Sequence, residues 1–415
     1  EKTVEDPNVK LENAVENIDI GGPSLIRAAA KNYKDVVVVT NPEEYNTVIS
    51  QLKSKGDVDI KTRKSFALQA FRRTADYDSE IDRFLSKRFA DEDILRLKFS
   101  GGKALRYGEN WHQKARLFRG DFGESLVNAK QIQGKEMSYN NYVDAESAVE
   151  AANDLNGRGA VVVKHTNPCG YATGENLTEA LKAAWDGDPV SAFGSVIAFT
   201  KPVKRETAEF LKDKFVEVLI APGFEEDAKR ILKDKENLRL LEIHDFDVEK
   251  TQYRFLSGGL LEQDRDTGYS KKEDFKVVTK AKFPEEKKSL ARFACLACKH
   301  TKSNAIVITR EYKPGFYHVI GMGAGQPNRV GSLKIAVEKT KENLKLMKLD
   351  ENEISKCVLA SDSFFPFPDS IGEANKNGIR YIIQPGGSVK DKEIIEACDR
   401  FGIAMIFTGR RMFKH

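Results

Sequence analysis

Two titratable side chains stand side by side where an apolar run ends in VVVKHTNPCG, residues 161–170. His165 has the side chain whose ordinary pKa best suits a general base near neutrality, and Lys164 supplies a cation for a developing oxyanion. Successive side chains of a strand point to opposite faces, so a continuing strand could not aim both at one substrate. A strand that breaks into a loop can, and Pro168 and Gly170 are expected to enforce that turn. Ligand crevices of open α/β sheets lie beyond the carboxyl ends of the strands, and the pair is expected at such an end. The alternative is a solvated strand end with an incidental histidine.

Other segments place unusual residues after a strand. In GMGAGQPNR (321–329) glycines expose amides ahead of a helix start and Arg329 offers a charged fork, so an anion could be held there. Gln326 stands where a dinucleotide fingerprint needs its third glycine, and a tight turn without ligand is an equal reading. SDSFFPFPDS (361–370) sets phenylalanines and prolines beside acids. They either plug the core or wall a flat aromatic ligand, with Asp369 reading ring nitrogens. QPGGS (384–388) offers a further backbone cradle. LRYGENWHQ (105–113) groups Arg106, Tyr107 and His112 around a glycine. An Arg binds phosphate through two bonds, although Arg-Tyr pairs are also common on plain surfaces.

A zinc site fails on spacing. Zinc deaminases need H-x-E with P-C-x-x-C. Here Asn167 takes the Glu position after His165, and Ala172 takes the second Cys position after Cys169. In CLACKH (295–300) Cys295 and Cys298 share one helix face, which suits burial.

These residues need elements to hold them. From about residue 98, strands and helices alternate with punctuating glycines, which predicts a largely parallel, doubly wound α/β layer. Residues 225–290 are rich in charge and less regular. The rhythm returns at 291, so 98–224 and 291–415 read as a distant structural duplication. Before residue 98, DVVVVT (35–40) predicts a buried strand among the helices of IDIGGPSLIRAAAKN, NPEEYNTVISQL and TRKSFALQAFRRTADYDSEIDRFLSKRF, the back half of an α/β domain.

Composition narrows the class. A chain of 415 residues with 40% hydrophobic and 31% charged residues predicts two or three globular domains. The net charge of +4, from 67 basic and 63 acidic residues, does not indicate a nucleic-acid binder. No apolar run approaches the ~18–20 residues of a membrane span, and no signal peptide is visible. Five cysteines at irregular spacing argue against a disulfide framework and for the cytoplasm. Opening at Glu1 rather than Met carries the expectation of a preceding natural segment.

In order along the chain, LRYGENWHQ, VVVKHTNPCG, DPVSAFGSVIAF, VEVLIAPGF, TKSNAIV, GMGAGQPNR, SDSFFPFPDS and the C-terminal RRMFKH resemble one bifunctional purine-biosynthesis family, AICAR transformylase joined to IMP cyclohydrolase. The resemblance implies part of a methylglyoxal-synthase-like cyclohydrolase domain at 1–97. It implies two cytidine-deaminase-like α/β/α subdomains at 98–224 and 291–415, joined by 225–290 and lacking the deaminase zinc. The implied reaction takes a formyl group from 10-formyltetrahydrofolate to the 5-amino group of AICAR, with no catalytic metal.

By matching motif positions, His165 would be the base and Lys164 its electrostatic partner. Arg106, Tyr107, Gly194, Glu217, Asn304, Arg329, Phe364 and Arg411 would contact AICAR. Val330, Asp369, Ser388 and Val389 would lie on the folate side. The position of Glu217 also holds Asp in the family, and Trp111 replaces the usual Pro. A homodimer with shared sites is implied, with no nucleic-acid or membrane partner. In the N-terminal part Asp19, Gly21 and Lys31 match cyclohydrolase positions, while that domain's earlier glycine loops, catalytic lysine and tyrosine are not in the chain. Closure of FAICAR to IMP is therefore not expected of this chain.

Overall fold

Short runs rich in Val, Ile and Leu, bounded by glycines and polar turns, form the strands of a 12-stranded sheet. The computed structural model describes residues 3, 5–6, 8–120, 125–244, 250–267 and 274–415. These fall into two units, Glu1–Lys98 and Phe99–His415.

The first unit holds helices α1 (Leu11–Glu16), α2 (Gly21–Lys31), α3 (Tyr45–Lys55) and α4 (Ile60–Ala90), of which α2 and α4 pack with Val38 in a small core of Ala30, Val38, Ala67 and Ala70. Asn41 caps the turn ahead of α3, and Asp59 caps α4 by accepting the Thr62 amide at 2.8 Å. The strand predicted at 35–40 does not form. Val38 is the buried member of the run, and no described segment pairs with it. A strand exists only through a neighbour's ladder bonds, so apolar content was not enough.

The second unit opens with a hairpin of β1 (Ser100–Ala104) and β2 (Arg116–Arg119). It continues through β3 (Lys130–Gln133), α5 (Tyr139–Asn153), β4 (Gly159–Lys164), β5 (Asn167–Thr173), α6 (Leu177–Gly187), β6 (Ser195–Phe199), α7 (Arg205–Leu211), β7 (Val216–Ala221), α8 (Glu226–Leu232) and β8 (Arg239–Glu242). A second hairpin, β9 (Thr251–Leu256) and β10 (Gly259–Asp264), follows. Then the same succession recurs: β11 (Lys276–Val277), α9 (Lys288–Lys299), β12 (Ile306–Lys313), β13 (Phe316–Gly323), α10 (Arg329–Leu346), β14 (Val358–Ser361), α11 (Asp369–Lys376), β15 (Tyr381–Gln384), α12 (Asp391–Phe401) and β16 (Ala404–Phe407).

Strand order repeats too. One half reads β5-β4-β6-β7-β8-β3, the other β13-β12-β14-β15-β16-β11, and they meet where β13 lies beside β5. The topology is thus duplicated. Helices α5 and α9 share one core on one face of the sheet, while α6–α8 and α10–α12 build two separate cores on the other.

The sheet is mixed, which corrects the largely parallel reading. Only β6-β7-β8 and β14-β15-β16 run parallel; the hairpins β4-β5 and β12-β13 and the seam between them are antiparallel. A strand buried on both faces is apolar throughout in either direction, so composition did not reveal the direction.

Candidate active site

Register decides which residues share an edge of the sheet. Because β4 is antiparallel to β6, Lys164 lies opposite the amino ends of β6–β8 rather than beside their carboxyl ends. That corrects the expected placement within the first half. The seam restores it: His318 of β13 pairs with Ala172 of β5, so the β4-β5 turn reaches the edge formed by the carboxyl ends of β14, β15 and β16. Asn304, Arg329, Phe364, Asp369, Ser388 and Arg411 all adjoin strands or helices at that same edge.

The turn itself is tighter than predicted. Lys164 pairs with Asn167, and His165 and Thr166 form a two-residue connection with φ of 50° and 64°. Pro168 and Gly170 belong to β5, so the turn falls ahead of both. Positive φ at both central positions matches the twist of a hairpin but normally calls for Asn or Gly. Each side chain held there costs about 1–2 kcal/mol, and β-branched Thr166 is the less natural occupant. The His165 carbonyl accepts from Thr166 Oγ1 at 2.6 Å and from Asn167 Nδ2 at 3.0 Å, and the Thr166 amide donates to Asp144 Oδ1 at 2.7 Å. His165 is exposed at the tip.

Lys164 is anchored. Its Nζ donates to the carbonyls of Phe193 and Gly194 at 3.1 and 3.0 Å, two of an ammonium's three donors. Gly194 has φ of 67°, and a Cβ there would stand 3.2 Å from Lys164 Nζ, so this residue is glycine for space and conformation together. A cavity of about 300 Å³ beside the hairpin is lined by Lys164, His165, Cys169, Asp188, Lys339 and Asn343 among others. A larger one of about 620 Å³, lined by Arg158, Lys182, Lys201 and Lys204 among others, opens at the opposite edge, away from these residues.

Arg329 does not present an empty fork. Its guanidinium is buried and donates to Asp362 Oδ1, to Ser361 Oγ at 2.9 Å and to Asn304 Oδ1 at 2.8 Å. Asp362 is fully buried and also accepts from Ser303 Oγ at 2.6 Å. Asn304 donates from Nδ2 to the Gln326 carbonyl at 2.8 Å, and its own carbonyl accepts from Ser332 Oγ at 2.6 Å. A buried guanidinium needs such a carboxylate, since isolated charge is strongly disfavoured away from water. Sequence reading chose Asp369 in this loop and missed Asp362, Ser303 and Asn167. The available signal was the acid immediately after the strand.

The aromatic loop divides its duties. Phe365 is fully buried in the core, Phe364 is half-buried and Phe367 is exposed with the Lys390 ammonium 5.1 Å from its ring centre. Asp369 is exposed at the start of α11, and its Oδ1 accepts the Ser370 amide at 2.8 Å. The expected cradle at 384–388 is already filled, because the Gly387 and Ser388 amides donate to the Asp391 carboxylate at 2.7 and 3.2 Å. At the start of α10, beside half-buried Val330, the Gly331 amide is likewise taken by Asn328 Oδ1 at 2.7 Å. Val389 is fully exposed.

Arg106 is exposed, 5.4 Å from the Tyr107 ring centre, and its loop is tied to the start of α5 by Asn140 Nδ2 and the Glu109 carbonyl at 3.1 Å. Glu217 on β7 pairs with Arg239 at 2.6 Å. Arg411 stacks over Phe413 at 4.5 Å, and the next amide, of Met412, donates to the Asp362 carbonyl at 2.9 Å.

In the first unit, Asp19 Oδ1 accepts the Gly22 amide at 2.9 Å at the start of α2, beside Gly21. Lys31 closes the same helix, about 15 Å along its axis by the rise per residue. The structure therefore separates Lys31 from Asp19 and Gly21.

All five cysteines are buried free thiols. Burial pushes the Cys169 thiol up to about 12, and Cys298 lies against the Ala305 and Ala360 carbonyls. Among the described residues no group of three or more His, Cys, Asp or Glu side chains is placed to hold a metal ion.

Comparison with known proteins follows the same lines. Residues 29–339 match the family model described as AICARFT/IMPCHase bienzyme. A bifunctional purine biosynthesis protein PurH from Lactobacillus acidophilus is 43% identical over 423 residues, covering 100% of this chain and 80% of that protein. The protein of the same description from Desulfitobacterium hafniense is 44% identical, with 100% and 80% covered, and that from Persephonella marina is 44% identical, with 98% and 78% covered.

Proposed function

The chain belongs to the AICARFT/IMPCHase bienzyme family, and on that premise we propose that the edge holding Lys164 and His165 transfers a formyl group from 10-formyltetrahydrofolate to the 5-amino group of AICAR. The family's roles are AICAR formyltransferase and IMP cyclohydrolase in purine biosynthesis, and its formyl donor is 10-formyltetrahydrofolate.

The AICAR amine is a weak nucleophile because the adjacent carboxamide withdraws its lone pair. It attacks the formyl carbon while His165 removes its proton, and a tetrahedral oxyanion forms. Lys164 stabilises that oxygen with its remaining donor. The intermediate collapses by breaking the bond to the folate nitrogen, which takes up the proton that His165 removed, giving FAICAR and tetrahydrofolate and returning His165 to its neutral form. The supporting observation is the hairpin, whose strained turn holds an exposed imidazole next to an ammonium already oriented by two carbonyls.

Around it, Arg106, Tyr107, Gly194, Glu217, Asn304, Arg329, Phe364 and Arg411 serve AICAR in this reading. Val330, Asp369, Ser388 and Val389 serve the folate. Arg329, buried in its ion pair, acts by holding the Asn304 amide. Asp19, Gly21 and Lys31 belong to the cyclohydrolase part. The two halves are cytidine-deaminase-like subdomains, and the protein works as a cytoplasmic homodimer with shared sites. Among the described residues no helix is long and apolar enough to cross a membrane.

The test is His165→Ala. Turnover is expected to fall about 10²–10⁴-fold, the range of general-base catalysis, while AICAR binding persists. Wild-type turnover in that variant rejects the assignment. AICAR binding without tetrahydrofolate production by the wild-type chain would instead mark a binding module.

A further inference from the structure

We infer that Asp144 is a positioning residue, whose carboxylate locks the left-handed His165–Thr166 turn and so aims the His165 imidazole. The inference rests on the reading of His165 as the base and adds the group that holds it.

Asp144 lies inside α5, a helix begun by a reciprocal cap between Ser138 and Asn141. Aspartate is a poor interior helix residue, because its short side chain competes for nearby backbone groups. Here it occupies the helix face that also carries buried Asn141, Ala145 and Ala148. Its Oδ1 accepts the Thr166 amide at 2.7 Å. The His165 amide also favours the charged form of this carboxylate, but the Thr166 amide is the group bonded to it, so the anchor acts through the second central residue of the turn.

Charge agrees with this geometry. Burial raises the Asp144 pKa, opposed by the two amides and by the charges of His165 and Lys164. The bonds from Thr166 Oγ1 and Asn167 Nδ2 to the His165 carbonyl are local and would move with the turn. Asp144 instead ties the turn to a packed helix. With neither Gly nor Asn at its centre, the turn lacks an intrinsic preference for positive φ and needs an outside anchor.

The experiment compares Asp144→Ala, Asp144→Asn, the double variant Asp144→Ala/Thr166→Gly and His165→Ala, with folding followed by circular dichroism. Loss of aim in Asp144→Ala is expected to lower kcat about 100-fold with KM for AICAR little changed. The isosteric Asn keeps an acceptor and is expected to recover most of the rate. Glycine accepts the left-handed conformation unaided, so the double variant is expected to recover part of it. Wild-type kcat in folded Asp144→Ala overturns the inference, as does a rate that neither rescue improves. Should the alanine variant fail to fold, retained kcat in Asp144→Asn supports the anchor, and a fall to the level of His165→Ala overturns it. Wild-type turnover in His165→Ala rejects the base itself. Loss there with wild-type kcat in Asp144→Ala rejects the anchor alone.

Discussion

The Lys302 amide donates to Asn167 Oδ1 at 3.0 Å, joining the end of the β4-β5 turn to the segment that carries Ser303 and Asn304. These residues belong to opposite halves of the duplicated sheet. Through Asn304 the link continues to Arg329 and Asp362, so the hairpin and the buried ion pair form one hydrogen-bonded frame.

Asn167→Ala removes that link and the bond to the His165 carbonyl. We expect a loss of about 1 kcal/mol in stability and a roughly tenfold lower kcat. Urea denaturation and steady-state assays check both; wild-type turnover would show that the halves need no such link.

Asp362→Ala leaves the Arg329 guanidinium buried without its carboxylate. The expected destabilisation is about 3–5 kcal/mol, far more than for an exposed ion pair. A shift in denaturation worth less than about 1 kcal/mol would contradict the closed geometry of this cluster.

Gly194→Ala introduces a Cβ at φ of 67° and 3.2 Å from Lys164 Nζ. Backbone strain of about 1–2 kcal/mol is expected, with lowered turnover as Lys164 shifts. A variant with wild-type melting temperature and kcat would show that neither restriction operates.

Lys164→Met keeps the length of the stem but removes the ammonium. By analogy with loss of one oxyanion donor, kcat should fall about 10²–10³-fold. Single-turnover assays with formyl donor in excess isolate this step, and an unchanged rate there would remove Lys164 from the chemistry.

His318 sits at the seam with Nδ1 3.1 Å from the Ala183 carbonyl, and its buried Nε2 has no hydrogen-bond partner among the described residues. Burial lowers its pKa from 6.5 to about 4, opposed by the Ala183 bond, with the nearby Arg310 charge lowering it further. The unfolded chain therefore binds the proton more readily. Stability is complete above pH 6.5 and falls as pH drops towards 4, by roughly 3 kcal/mol. His300, also lowered by burial, contributes in the same direction. His318→Gln should flatten the wild-type slope across this window in denaturation at stepped pH. An identical slope would mean that His318 does not carry it.

Much of the second unit was legible because its signals are local. Apolar runs marked the strands, and Asn-capped helices followed them at Asn176 and Asn328. The duplicated rhythm was visible, but strand direction was not. The valines at 36–39 were misleading, since their pattern is that of a strand while the ladder partner is a property of other segments. Asp144 was overlooked because it belongs to no chemical motif, and Asp362 because Asp369 drew the attention in the same loop; each matters through a partner far along the chain.

Residue types and their order determined by themselves the α/β class, the family and the adjacency of an ammonium and an imidazole, because those properties are written in consecutive residues. Tertiary structure alone decided that the hairpin reaches the edge bearing Asn304, that Arg329 is neutralised by Asp362, and that the His165 turn is anchored on α5. Each depends on strand register or on a hydrogen bond between distant segments, and no local pattern encodes which segments will meet.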